Sequence, residues 1–171
     1  MKRLFTLLLI LISFVSNGQK GTFIDTRDNK SYKWIKFGEQ TWMGENLKYK
    51  DTTLYDYATI TLDKKDTITG ICPYGWHIPT VDEWNKLFFT LGKQTASEKL
   101  KDKNGFDLLF NGKYSAVNKV IEDKRTHAYF WTSNQRDLTT IWIFVFYEGI
   151  MMISKREGEM KDGYSLRCVK N

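Results

Sequence analysis

The sequence predicts an α+β domain, on three observations. Helical signals are confined to residues 80–100, the segments after residue 129 read as antiparallel strands with short turns, and a separate β-meander precedes the helices. Of the 171 residues, 42% are apolar and 27% charged. That is too hydrophobic for a disordered chain and too short for two ordinary domains, so one domain over residues 19–171 is expected.

The first 18 residues read as a secretory signal peptide: Lys2 and Arg3, an apolar run over residues 4–15, then small Ser16 and Gly18 in an A-x-A-like arrangement. The run is shorter than the roughly 20 residues of a membrane span. Cleavage after Gly18 would remove Lys2 and Arg3 and lower the formal charge from +6 to +4. The seven apolar residues 141–147 suit a buried strand, so no membrane span is expected. Export sets the reading of the two cysteines, because in an oxidising compartment such a pair bonds to itself. A Cys72–Cys168 bridge would close a long loop, worth roughly 4–5 kcal/mol on chain-entropy grounds. The alternative, a catalytic thiol, would need His77 or His127 as its base.

In the mature chain, residues 22–24, 31–37 and 40–43 form the meander, with Asp28-Asn29 and Gly38-Glu39 as turns. Residues 48–70 are polar and lack periodicity, and Lys64-Lys65-Asp66-Thr67 reads as an exposed loop. Pro79 holds the preceding residues extended. Thr80 then caps a helix, with Glu83 completing a capping box. Val81, Trp84, Leu87, Phe88 and Leu91 share one face of that helix, and Gly92 stops it. A second, short helix covers residues 95–100 with Ala96 and Leu100 inward. Residues 106–110 cross the core, and residues 112–124 read as an exposed connection. Strands are predicted at 129–133, 141–147, 151–155 and 164–169, with Glu148-Gly149 and Asp162-Gly163 as turns. Trp76, Trp84, Trp131 and Trp142 are assigned to the core.

An ordered set of segments resembles the Fibrobacter succinogenes major paralogous (FISUMP) domain family. It comprises Tyr32-Lys33 with Ile35-Lys36, residues 40–47 (QTWMGENL), residues 72–80 (CPYGWHIPT) with Glu83-Trp84, residues 96–101, Gly105-Phe106, Phe130-Trp131-Thr132-Ser133, and residues 165–170 (SLRCVK). Residues 112–129 and 134–140 depart from the family pattern. The resemblance implies an exported bacterial surface or extracellular protein whose biochemical role is unassigned. Its Gly-Trp-His-x-Pro-Thr stretch is similar to that of formylglycine-generating-enzyme-like folds. This implies a C-type lectin-like fold with an early helix pair, a mostly antiparallel sheet and one disulfide.

Catalytic and metal patterns do not stand out. His77, between Trp76 and Ile78, reads as a structural histidine, and His127 as an exposed one. Asp102-Lys103-Asn104-Gly105 lacks the position-5 ligand and distal Glu of a calcium loop. Lysines and acids are interleaved, which argues against nucleic-acid binding. No metal and no cofactor are expected. The expected function is that of a secreted, monomeric, non-enzymatic module that binds an extracellular protein or polysaccharide through its loops. Gln135, Arg136, Asp137, Tyr147 and Glu148 are the candidate ligand-binding residues. The alternative is a structural or surface-assembly component of the cell envelope.

Overall fold

The computed structural model describes residues 19–61 and 70–171; the expected signal peptide and the Lys64–Thr67 loop lie outside the described residues. The regular secondary structure is mostly antiparallel sheet, with few helices, and the described residues hold one disulfide. The meander forms as β1 (Lys20–Asp25), β2 (Lys30–Phe37) and β3 (Gln40–Met43). A one-turn helix, α1 (Tyr57–Ile60), is capped by the Asp56 carboxylate, which accepts from the Thr59 amide at 2.8 Å. Next come β4 (Trp76–His77), α2 (Val81–Leu91) and α3 (Ala96–Leu100). A small hairpin, β5 (Lys113–Ser115) and β6 (Val120–Glu122), leads to the long strands β7 (His127–Gln135), β8 (Thr140–Tyr147) and β9 (Ile153–Glu159). The chain returns as β10 (Val169–Lys170). No helix among the described residues is long and apolar enough to cross a membrane.

Local chemistry explains α2. The Thr80 hydroxyl accepts from the Glu83 amide at 3.1 Å, and the Glu83 carboxylate accepts from the Thr80 amide at 2.8 Å. Two orphan donors of the first turn are thus satisfied reciprocally. Gly92 ends the helix at φ +83°, a left-handed position that favours glycine. The α2 face then buries Trp84, Leu87, Phe88 and Leu91.

Strand order is β1-β2-β3-β10-β4 in one sheet and β7-β8-β9 in another. The second sheet divides the core. Ile141, Ile143 and Val145 of β8 face one apolar cluster with Tyr55, Trp131 and Tyr164, while Phe144 and Phe146 face another built around Trp84 and Trp42. With both faces covered, β8 is apolar at nearly every position instead of alternating. Trp84 is the hub of the second cluster: it is fully buried, 4.7 Å from Trp42 between ring centroids, and also packs on Phe106, Phe130, Phe144 and Phe146.

Three expectations are corrected. Residues 112–124 are not merely a connection but contain the β5–β6 hairpin, whose register pairs Tyr114 with Ile121. Trp142 is only half-buried; it lies under Lys155, 4.3 Å from its ring, with Arg136 at 5.9 Å. The expected strand at 164–169 is regular only at Val169–Lys170. Before that, the chain changes partners almost residue by residue. The Tyr164 amide donates to the Tyr55 carbonyl, Ser165 to Tyr129, and the Leu166 and Cys168 carbonyls accept from Leu47 and Met43. Residues 162–169 are buried throughout and run between the two sheets.

Candidate functional site

The two expected ligand-binding loops lie at opposite ends of β8. Gln135, Arg136 and Asp137 precede it, whereas Tyr147 ends it and Glu148 follows. At about 3.3 Å of rise per residue, the strand holds them roughly 20 Å apart, so they do not line one groove. The first loop is closed on itself. Asp137 accepts from the Thr139 and Thr140 amides at 2.9 and 2.8 Å and from the Thr140 hydroxyl at 2.7 Å. Those donors hold its carboxyl well below the usual carboxylate range. The Gln135 amide donates to the Asp137 carbonyl at 2.6 Å, and Arg136 pairs with Asp137 and Glu157, each at 2.8 Å.

Tyr147 sits among aromatic neighbours. Register places it opposite His127, and the strand period of two puts Tyr129 on the same face. The Tyr147 and His127 rings meet edge to face at 4.7 Å, and His127 stacks on Tyr129 at 5.8 Å. All three are half-buried, leaving part of each ring at the surface. The Tyr129 hydroxyl donates to Asp123 at 2.5 Å, and Arg156 donates to the Tyr147 hydroxyl at 2.9 Å. Burial and the Asp123 charge push the Tyr129 hydroxyl up, so it stays a donor. The result is an aromatic platform with an exposed carboxylate and an exposed guanidinium at its rim. Glu148 stands beside it, paired to Lys101 at 3.3 Å.

His127 and Tyr129 were not among the sequence-derived candidates. The signal that could have found them is their spacing of two in a strand preceding Tyr147.

Several of the residues that carry the family resemblance lie inside the scaffold. Cys72 and Cys168 are bonded, with Cα atoms 6.0 Å apart, which removes the thiol reading. Arg167 is fully buried and donates to main-chain oxygens of Met43, Phe106 and Asp107 and to the Asn46 side chain at 2.6 Å. Its guanidinium also lies 4.0 Å over the Phe106 ring. His77 joins β4 to α2: Nε2 is 2.7 Å from the Glu83 carboxylate and Nδ1 is 2.6 Å from the Asn171 side-chain oxygen.

The family model described as the Fibrobacter succinogenes major domain matches residues 53–170, more than half of the chain. The chain belongs to this family. No curated protein and no solved structure matches it.

In this Fibrobacter succinogenes major domain, His77 is a structural staple with a pH dependence. Both ring nitrogens face acceptor oxygens, so the imidazolium can satisfy both at once. The Glu83 hydrogen bond raises the His77 pKa above 6.5, against the opposing effect of burial. A folded pKa above the unfolded value gives stability that is full below about pH 6.5 and fades as pH rises through the folded pKa. Glu83 is shifted down despite its burial, and its share is lost on acidification instead. Urea unfolding at stepped pH is expected to show stability falling above about pH 6.5. His77→Gln is expected to flatten that fall, and an unchanged slope in the variant would contradict the assignment.

Proposed function

We propose that this domain is an exported, non-enzymatic binding module with a C-type lectin-like architecture, and that it takes a polysaccharide on the His127–Tyr129–Tyr147 platform. The observation that carries the reading is the platform itself. Partly exposed rings offer apolar faces to the C–H face of a sugar, while Asp123 and Arg156 supply an acceptor and a donor for its hydroxyls. Support for the architecture comes from β10 lying between β3 and β4, from the adjacent helices α2 and α3, and from the disulfide that ties residue 168 to the chain before β4. Support for export comes from the N-terminal sequence and from the bonded cysteine pair.

Affinity electrophoresis against a panel of soluble polysaccharides tests the reading. At least one glycan is expected to retard the protein, and Tyr147→Ala or His127→Ala to weaken that binding by roughly ten-fold, with melting checked in parallel. Variants that bind as tightly as the parent, or turnover of the bound glycan, would contradict it.

A further inference from the structure

The opposite face of the β7–β8–β9 sheet carries a concave surface, between α2 and the edge strand β9. It is a groove of about 840 Å³, floored by Phe88 and Phe144 and walled by Ile153. Phe89 and Met151 stand at its rim, 75% and 65% exposed, with Met152 beside them. Exposed apolar side chains gathered along one groove mark a contact surface, and methionines suit a partner of adaptable shape. The charge around it has one sign: Lys86, Lys93 and Lys155 line the groove, and no carboxylate does. Lys86 is paired to Glu39 at 2.6 Å and Lys155 lies over Trp142, so Lys93 is the cation at the rim without an ion pair among the described residues. Along one side runs β9, which pairs only with β8 in its sheet. Its outer edge therefore offers main-chain groups to an extended chain.

From these features we infer that the groove docks an extended, acidic segment of a partner protein, one whose groove-facing side chains, every second residue, include both apolar residues and Asp or Glu. In a strand laid along β9 every second side chain faces the groove, where apolar ones meet Phe88, Phe89 and Met151 and carboxylates meet the lysines that line the same face. Concavity favours a chain over a flat bilayer surface. The shared positive charge disfavours a second copy of this protein, whose formal charge is +4 after the expected cleavage. This surface is independent of the aromatic platform.

The probe is a fluorescein-labelled decapeptide with leucine and glutamate in turn at every second position and serine between them, titrated into the whole protein and read by anisotropy. Saturable binding is expected, weakened by added salt. Lys93→Glu and Phe89→Ser, both at exposed positions, are each expected to weaken it by about ten-fold with melting unchanged. Tyr147→Ala should leave it intact. The inference is overturned if the peptide does not bind, or if its lysine-for-glutamate counterpart binds equally well. It is also overturned if Lys93→Glu and Phe89→Ser bind like the parent, or if Tyr147→Ala abolishes binding. Binding only to phosphatidylglycerol vesicles, or a dimer that Phe89→Ser dissociates, would likewise overturn it in favour of a membrane or of self-association.

Discussion

Arg167→Met is expected to cost about 3–5 kcal/mol of stability, the range seen when one partner of a buried polar set is removed. The magnitude follows from what the guanidinium holds. It is fully buried, and its terminal nitrogens serve carbonyls of Met43, Phe106 and Asp107 and the Asn46 side chain. Burial pushes its pKa down, so the cation is sustained by these oxygens and by the Phe106 ring beneath it. Methionine fills much of the volume but leaves those acceptors unpaired in a dry core. Asp107, held at φ +49°, would lose the contact that fixes its carbonyl. Arg167→Lys is expected to recover only part of the loss, because an ammonium on a flexible stem cannot replace a planar fork. At roughly 2–4 °C per kcal/mol for a chain of this size, the methionine variant should melt at least 6 °C lower. A melting point within 2 °C of the parent would contradict the assignment.

Loss of the Cys72–Cys168 bridge is the second large effect. The bridge spans 96 positions in sequence. A closed loop of that size is worth roughly 4–5 kcal/mol by restricting the unfolded chain. The double Cys72→Ser/Cys168→Ser variant should therefore unfold at much lower urea than the parent, and the parent with reductant should match it. Equal midpoints with and without reductant would contradict this. Cys168 adjoins Arg167, so the two losses will not add simply.

Both effects converge on residues 162–169. There the main chain passes from the β7 side to the β3 side and is covered on every side. The residues that mark the family here, Ser165 to Cys168 and Asn46, are joined to one another: Asn46 donates to the Ser165 hydroxyl at 3.2 Å and accepts from Arg167 at 2.6 Å. Their chemistry is that of a fold-determining junction, and the ligand face proposed above is built from other residues.

What the sequence made legible was local. The capping box at Thr80 and Glu83, the apolar face of α2 and the Gly38-Glu39 turn all act within a few residues, and each appears where its pattern places it. Long-range pairing was less legible. Residues 164–168 have strand-like composition, yet they exchange partners too often to form a ladder, and those partners are about 35 to 125 positions away. Arg167 in such a run resembles a surface position, and its acceptors come from two distant segments of the chain, residues 43–46 and 106–107. The β5–β6 hairpin was missed because each strand is three residues long and its Tyr114, Val120 and Ile121 are exposed. For the platform, Tyr147 was readable as a turn-flanking aromatic, but the register that sets His127 opposite it was not.

Amide hydrogen exchange at Tyr164 and Ser165, which donate to Tyr55 and Tyr129, tests the junction most directly. Exchange only through global unfolding is predicted in the parent, with both amides accelerated in Arg167→Met and in the cystine-free variant. Exchange in the parent as fast as that of the exposed β5–β6 hairpin would contradict the account.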